Sequence, residues 1–539
     1  MSSLERLAED SMKRSWVCGL AAVVVVLGIG QILLAADVFP PEQKPAPPTI
    51  SLPATPYHYA DLPLPAHFKT FAARRFDNTP SDNPITDAGA TLGRVLFYDA
   101  RLSANSSVSC SSCHVQQFAF TDPQRFSVGF EGKHGDRRAL PLVEARYYPD
   151  GKFFWDERAP TLEDQTLMPI QSKSEMGQDL NKLVQILSND PIYGPLFLSA
   201  FGDPKVTSTR ISKALAQFVR SIVSYQSKYD EGRATATSVR VDFKNFTAEE
   251  NRGKGLFLRN CGQCHMPDGQ DAHFVTDRPK NTSLDAGIRV RDNGVGDITL
   301  NASEMGMFKS PSLRNIEFTG PYMHDGRFQT LDAVMNFYSR GGGGHPNRSP
   351  EMRRFNLNPQ DRTDLIAFLL TLSDRKLIED PRFSDPFVVH PQAVLTASAS
   401  DKGSPIFASN DSDFRGFGGR GNRGRGQGGG PPPPRGPRGG RGPAITVDNV
   451  TDHLMSFDRN GDNKLTADEL PERMQAIVAR GDTSHEGALT RDEVKEMAGQ
   501  AFKQGPPPGP LFPPPFGGPP PFGRGRGNGP PPPPPGRGQ

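Results

Sequence analysis

Two short stretches decide how this chain folds: CSSCH at residues 110–114 and CGQCH at residues 261–265. In a Cys-x-x-Cys-His unit the two thiols can form thioethers to the vinyl groups of a haem, and the adjacent histidine is placed to ligate the iron. A lone Cys-x-x-Cys pair also occurs in zinc and redox sites. The histidine after each pair and the repetition of the unit favour two covalently bound c-type haems, attached through Cys110, Cys113 and His114 and through Cys261, Cys264 and His265.

The sequence around each unit follows a helical pattern. Apolar residues recur at helical spacing in 180–187 and 211–225, and again in 331–338 and 361–372, and no long alternating strand pattern occurs. Two similar halves with one haem unit each indicate duplication of a small haem domain. We therefore predict a mainly α fold with two cytochrome c-like haem domains in tandem, at residues 67–240 and 241–395.

The N-terminal residues indicate export. An apolar run at 16–36 follows Lys13 and Arg14. A basic flank before such a run is typical of a signal peptide or an uncleaved membrane anchor, which we place at 1–36. A Pro-rich tether is predicted at 37–66. The protein is then periplasmic, or held on the outer side of the cytoplasmic membrane.

Composition sets further limits. The net charge of the 539 residues is +2, which argues against a general role in coating nucleic acid. The chain contains 55 glycine and 53 proline residues, and both types are concentrated in residues 396–445 and 504–539. Segments with so few large apolar side chains cannot offset the entropy of ordering, so we predict a disordered linker and a disordered tail.

Two longer stretches carry a resemblance: FFWDERAPTLEDQTLMPIQSKSEMG at 153–177 and PSLRNIEFTGPYMHDGRF at 311–328. With both haem units, they closely resemble the family of bacterial dihaem cytochrome c peroxidases and its relatives, the methylamine-utilisation dihaem enzymes. The resemblance covers roughly residues 68–377. It implies an oxidoreductase that reacts with hydrogen peroxide at the first haem and exchanges electrons through the second.

The resemblance also implies site residues. Trp155 would lie between the two haems and relay electrons, whereas Gln165 and Glu175 would project over the open face of the first haem. Cleavage of peroxide moves a proton between its oxygens, which a carboxylate such as Glu175 can carry. The amide of Gln165 can hold peroxide and donate to the leaving oxygen. The alternatives are a solvated surface acid for Glu175, a helix-face residue for Gln165 and a core tryptophan for Trp155.

The second haem is expected to have a tyrosine ligand. By the resemblance, His324 lies in a loop near this haem, and the distal ligand follows on the next helix, at Tyr338. Met323 is a nearer thioether but does not match the ligand position. Peroxidases of the family carry methionine there, and the methylamine-utilisation branch carries tyrosine. A phenolate favours oxidised iron, so we expect a low reduction potential. Packing in a helix core is the alternative for Tyr338.

Two positions depart from the family pattern. Phe130 stands where many members place a loop histidine on the resting first haem, with His134 nearby as a substitute. Thr319 and Pro321 match carbonyl positions of an interdomain Ca²⁺, but Arg138 replaces the expected asparagine. The distal ligand of the first haem and this ion are therefore left open.

A calcium-binding module is predicted at 446–503. Hard Ca²⁺ requires oxygen ligands at alternating positions and a bidentate acid at the end of a 12-residue loop, and two successive loops show this EF-hand pattern. Degenerate, metal-free loops are the alternative. Because the linker separates the module from the haem units, a structural or docking role is expected. The candidate ligands are Asp458, Asn460, Asp462, Lys464 and Glu469 in the first loop, and Asp482, Ser484, Glu486 and Glu493 in the second.

Three functions remain in competition. The first is a peroxidase that takes electrons from a small c-type cytochrome or a copper protein. The second is a Tyr-ligated oxidase that uses peroxide to modify a partner protein. The third is a non-catalytic electron-transfer cytochrome that docks through its EF-hands.

Overall fold

The computed structural model describes residues 49–288, 292–389 and 444–504. The apolar run at 16–36, nearly all of the predicted linker and the predicted tail after Gln504 lie outside these residues. In the described part of the chain, no helix is long and apolar enough to cross a membrane.

The described residues are mainly helical, as predicted. The α-helices are α1 Phe71–Arg74, α2 Asp87–Tyr98, α3 Cys110–Cys113, α4 Leu162–Gln171, α5 Leu180–Ser188, α6 Tyr193–Phe201, α7 Ser208–Ser221, α8 Lys228–Thr235, α9 Ala248–Asn260, α10 Gly262–His265, α11 Val295–Thr299, α12 Leu331–Ser339, α13 Pro359–Leu370, α14 Arg375–Glu379, α15 Val447–Met455, α16 Ala476–Gly481 and α17 Arg491–Gln504. The strands are β1 Thr49–Ile50, β2 Phe387–Val389, β3 Lys464–Thr466 and β4 Ala488–Thr490. Short 3₁₀ helices connect them at Ala66–Lys69, Ala100–Leu102, Gln116–Phe118, Ala145–Tyr147, Pro267–Gly269, Ala302–Glu304, Pro381–Phe383, Ala467–Glu469 and Glu472–Met474.

Each haem unit follows a helix that is crossed closely by a later helix. Helix α2 packs against α7 in the first half, and α9 packs against α13 in the second. A Cβ atom on Gly93 would lie 2.0 Å from the carbonyl oxygen of Ala214, and one on Gly253 would lie 1.8 Å from that of Asp364. Only glycine permits this approach of the two backbones. The same arrangement in both halves agrees with the predicted duplication.

Local signals fix where these helices begin. The Thr86 hydroxyl accepts a hydrogen bond from Gly89 N at 3.0 Å and caps α2. Thr247 caps α9, and the Glu250 carboxylate accepts from Thr247 N at 2.7 Å in return. Such reciprocal bonds satisfy backbone donors that a helix start leaves open. The helix that precedes each pair of thiols therefore starts at a defined residue.

The first domain begins earlier than predicted. Strand β1 pairs with β2 in an antiparallel arrangement, and the Tyr59 hydroxyl donates to Arg382 O at 2.7 Å. Tyr59 is fully buried and Leu62 nearly so. The described part of the predicted 37–66 tether, from Thr49 onwards, is thus packed against the fold, because its few apolar side chains reach the core despite the surrounding prolines.

The C-terminal module is formed by α15, α16, α17, β3 and β4. Its strands pair antiparallel, with Leu465 opposite Leu489, so the two loops lie side by side. Its apolar core is continuous with Leu300, Ala302 and Met305 of the second haem domain. The expectation that the linker keeps this module apart from the haem domains is therefore wrong, because an apolar patch on the second domain gives it a surface to pack against.

Candidate active site

The first haem unit is positioned by a short helix and a histidine hydrogen bond. Helix α3 carries Cys110 and Cys113, both half-buried. His114 Nδ1 lies 2.9 Å from the carbonyl oxygen of Phe120. An Nδ1–H that donates to this carbonyl leaves the lone pair of Nε2 for a metal ion. Burial lowers the pKa of His114, which favours the neutral imidazole that iron requires.

The second unit repeats this geometry. His265 Nδ1 lies 3.3 Å from Phe274 O, and burial lowers the pKa of His265 to about 4. Cys261, Met323 and Tyr338 are half-buried and pack against the same apolar cluster. Both units thus offer two thiols, one neutral imidazole and apolar surroundings, a donor set that fits covalent haem c.

Tyr338 packs against the same apolar cluster as Cys261 of the second haem unit. Burial raises the pKa of its phenol far above the ordinary value, and the nearby Cys264 and Cys261 add to this effect. Those two cysteines are therefore within electrostatic range of the phenol. This position is compatible with the predicted role as a ligand.

A single cavity joins the first haem unit to the predicted catalytic residues. Its volume is about 1030 Å³. Thiols, imidazole, amide, carboxyl and indole open onto the same space, which is the arrangement needed to hold a haem with reactive groups beside it. The cavity is lined by Cys110, Cys113, His114, Trp155, Gln165 and Glu175, among others.

Glu175 opens onto this cavity from the turn after α4. The backbone of that turn is held on both sides, since Glu175 N donates to Ser172 O at 3.1 Å and Phe130 N donates to Glu175 O at 2.8 Å. The side chain is exposed to the cavity but surrounded by protein atoms, and loss of solvation raises its pKa. Arg158 opposes this rise, whereas Glu472 and Asp136 contribute to it.

Trp155 lies at the junction of the two haem domains. Its Nε1–H donates to Arg138 O at 2.7 Å, and its carbonyl accepts from Lys309 N at 2.8 Å. Its ring centroid lies 6.3 Å from that of His324, which itself stacks on Phe308 at 3.9 Å. Trp155 therefore contacts the second domain directly while it lines the cavity of the first.

Arg138 occupies the place where an interdomain Ca²⁺ was considered. Its guanidinium donates to Asp122 O, Thr319 O and Gly320 O, each at 2.8 Å. A fixed cation thus already satisfies carbonyl oxygens at this junction. The Ca²⁺ ion at Thr319 and Pro321 stays a prediction, and the guanidinium argues against it.

The departure at Phe130 has a structural counterpart. Phe130 lies beside Gly177 and bonds through its backbone to the Glu175 turn. His134 is exposed and lines the cavity. His134 therefore opens onto the space beside the first haem unit, and its role as a resting ligand stays a prediction.

Several residues at the site were not singled out from the sequence. Arg137 donates to both oxygens of Asp292 at 2.7 Å and to Asp156 at 2.5 Å, next to Trp155. Glu472 and Arg473 of the C-terminal module also line the cavity. Arg158 stood inside the quoted 153–177 stretch and could have been found there. The module residues carry no sequence signal for such a position.

In each loop of the C-terminal module, the acid at the last position accepts hydrogen bonds from backbone N–H groups of the same loop. Glu469 accepts from Arg459 N at 3.1 Å and from Thr466 N at 3.0 Å, and Glu493 accepts from Thr483 N at 3.0 Å and from Thr490 N at 2.9 Å. Among the residues described, no group of three or more His, Cys, Asp or Glu side chains is arranged to hold a metal ion. Calcium at these loops stays a prediction.

Sequence comparisons match both halves. The family described as di-haem cytochrome c peroxidase matches residues 87–237, and the cytochrome c family matches residues 250–373. The methylamine utilization protein MauG of Methylorubrum extorquens is 35% identical over 296 residues, which cover 54% of this chain and 80% of that protein. Cytochrome-c peroxidase IdrP1 of Denitromonas iodatirespirans is 31% identical over 331 residues, which cover 56% of this chain and 86% of the relative.

This chain is also similar to a solved structure of the same kind of protein. The crystal structure of a MauG-like protein associated with microbial copper homeostasis has 34% sequence identity and a TM-score of 0.51. It covers 57% of this chain, and 96% of the solved chain is matched.

Proposed function

Because this chain belongs to the family of di-haem cytochrome c peroxidases and MauG proteins, we propose that it is an exported c-type haem peroxidase that reduces hydrogen peroxide to water. The observation that carries this proposal is the shared cavity of Cys113, His114, Gln165 and Glu175. A small redox protein, a c-type cytochrome or a copper protein, would supply the two electrons. Two protons are taken up, and two water molecules leave.

Glu175 is the proton carrier of this proposal. Its carboxylate accepts the proton from one peroxide oxygen and returns it to the departing oxygen. Loss of solvation raises the pKa of Glu175, which makes its carboxylate a better proton acceptor. The amide of Gln165 orients the peroxide and donates to the oxygen on which negative charge develops.

The remaining chemistry depends on the two haems and on Trp155. The haems, when bound, supply the iron redox chemistry that takes up and releases electrons. A role for Trp155 in electron transfer is supported by two observations: it lines the first cavity, and it contacts His324 and Lys309 of the second domain. His114 and His265 would hold the two irons, and Tyr338 would be the distal ligand of the second.

Tyr338 favours a second candidate function. As a ligand of the second haem, the Tyr338 phenolate would stabilise oxidised iron and so favour slow oxidation of a partner protein. Relatives of both kinds, the peroxidase IdrP1 and the MauG proteins, match this chain at comparable identity. In this alternative, the slow oxidation of a protein substrate replaces rapid oxidation of a small donor.

We also infer that the C-terminal module binds Ca²⁺ through its two EF-hand loops. The paired strands β3 and β4 set the loops side by side, and Glu469 and Glu493 stand at the bidentate end positions. The acids now accept backbone N–H groups, so binding would exchange these bonds for metal ligation.

Steady-state turnover tests the main proposal. Holoprotein with a reduced small c-type cytochrome should consume peroxide rapidly, and Glu175→Gln should slow this about 100-fold or more with haem content intact. Glu131→Gln is the matched control, because Glu131 is exposed and paired only with Lys133 among the contacts described. Unchanged kinetics in Glu175→Gln would remove Glu175 from the mechanism. Slow cytochrome oxidation with rapid peroxide uptake by the first haem would favour the protein-modifying alternative.

A further inference from the structure

The C-terminal module reaches the cavity of the first haem unit. Its residues line the same space as Gln165 and Glu175, although residues 390–443 separate it in sequence from the second haem domain. An appended module could have packed anywhere on the surface, so its position beside the predicted peroxide site calls for a reason. Its lining residues are Phe457, Arg459, Pro471, Glu472, Arg473, Ala476, Ile477 and Arg480.

Glu472 bonds directly to the segment that carries Glu175. One oxygen of its carboxylate accepts from Lys173 N at 3.0 Å, and the other accepts from Ser174 Oγ at 2.8 Å and from Ser174 N at 3.3 Å. Lys173 and Ser174 immediately precede Glu175. The module thus supplies the acceptor for two consecutive backbone donors at the turn after α4, next to the bonds that Glu175 makes with Ser172 and Phe130.

Arg473 fixes the module at this place. It pairs with Asp136 of the first domain, and its guanidinium lies 3.7 Å from Asp297 and 3.9 Å from Asp292. Only 6% of its side chain is exposed. His453 Nε2 of the same module lies 2.9 Å from Asp297 Oδ1. Together with the apolar contact to Leu300 and Met305, these bonds leave Glu472 little freedom to move away from the turn.

We propose that Glu472 is a positioning residue of the peroxide site, which the C-terminal module completes. The inference rests on the proposed function, since it acts through Glu175. Without Glu472, the N–H groups of Lys173 and Ser174 turn to solvent and the Glu175 carboxylate loses its fixed place over the cavity. Small displacements of a reacting group slow the reaction strongly, because correct orientation is part of the barrier.

Glu472 also acts on Glu175 through its charge. The charged groups that face Glu175 are Arg158 and Asp136 of the first domain and Glu472 of the module. Arg158 lowers the pKa of Glu175, and the two acids raise it. Removal of the Glu472 charge therefore lowers the pKa of Glu175. As Glu175 must lose its proton to accept one from peroxide, the rise of the rate with pH moves to lower pH.

Two variants of the full-length holoprotein separate position from charge. Glu472→Ala should slow the reaction of the first haem with peroxide about 10-fold. Glu472→Gln keeps one of the two acceptor oxygens but not the charge, so it should retain more of the rate than Glu472→Ala while its pH profile shifts to lower pH. Hydrogen exchange of a peptide spanning 172–177 should speed up in Glu472→Ala and speed up less in Glu472→Gln. Glu496→Gln, on the exposed face of α17, is the matched control and should change none of these readouts.

The outcome has a clear contrary result. An unchanged rate, pH profile and exchange at 172–177 in Glu472→Ala would overturn the inference. If the parent holoprotein does not consume peroxide with a reduced cytochrome, the proposed function fails as well. If Glu175→Gln is slow and Glu472→Ala is not, only the positioning role fails.

Discussion

At the scale of single residues, Tyr338 distinguishes the two candidate activities. Its phenol is half-buried in the cluster that also holds Cys261, and its pKa is raised by burial. Replacement by methionine supplies a thioether, which stabilises the reduced iron. We expect Tyr338→Met to raise the reduction potential of the second haem by roughly 100 mV or more in a spectroelectrochemical titration.

A matched aromatic variant controls this experiment. Tyr322 packs against the same cluster, and its hydroxyl donates to Ile316 O at 3.1 Å. Tyr322→Phe should leave the potential of the second haem nearly unchanged. Equal potentials in the parent, Tyr338→Met and Tyr338→Phe proteins would show that Tyr338 is a core residue and not a ligand.

Arg138 joins the two haem domains through three carbonyl oxygens. Arg138→Ala leaves the buried Asp122 carbonyl and the half-buried Thr319 and Gly320 carbonyls without this donor, so we expect the free energy of unfolding to fall by about 3 kcal/mol in denaturant titrations. Arg125→Ala is the control, because Arg125 also donates to a second-domain carbonyl, that of Asp325, but at an exposed position. Its loss should cost less than about 1 kcal/mol. Equal losses in the two variants would contradict the role assigned to Arg138.

At the scale of helices, the crossing of α9 and α13 depends on one glycine. A Cβ on Gly253 would clash with the Asp364 carbonyl, so Gly253→Ala should force the helices apart and lower the free energy of unfolding by about 2 kcal/mol or more. Gly255 in the same helix has only Arg259 Nη1 near its Cβ position, at 3.4 Å. Gly255→Ala should therefore stabilise the protein by up to about 1 kcal/mol, because alanine is the better helix former. Opposite signs in thermal unfolding are the expected result, and equal signs would refute the close-packing interpretation.

Much at this scale could be predicted from sequence. Helical periodicity gave the mainly α fold, and the position of Cys110 and Cys261 gave two similar domains. The start of the first domain could not be predicted, since the prolines around Tyr59 outweigh its single aromatic ring in any local pattern. That ring is buried against residues far away in the chain: its hydroxyl donates to Arg382 O, and the ring lies 6.1 Å from that of Phe383.

At the scale of the whole molecule, the C-terminal module forms part of the wall of the cavity beside the first haem unit. Its loops could be predicted from residue spacing, but its packing could not, because contacts such as Arg473 with Asp136 join segments that no sequence pattern relates. The same holds for Glu472, whose partners are backbone groups. Trp155, Gln165 and Glu175 were predicted as site residues and line the cavity, whereas Arg158 of the same stretch and the residues contributed by the module were missed.

Calcium binding to this module is open to a direct test. Titration calorimetry of the calcium-free holoprotein should show two Ca²⁺ ions bound, because each loop ends in a bidentate acid. The double variant Glu469→Gln with Glu493→Gln should lose this heat, and Glu496→Gln should keep it. Absence of binding by the parent protein would identify both loops as degenerate.

Peroxide chemistry at the first haem requires one iron with a vacant face, and electron transfer at the second requires an iron without one. Electron paramagnetic resonance of the oxidised holoprotein measures this most directly, because high-spin and low-spin ferric haems give separate signals. We expect one high-spin signal, from the haem beside Cys113, which changes on addition of hydrogen peroxide, and one low-spin signal from the haem beside Cys264. Two low-spin signals that peroxide leaves unaltered would contradict the account.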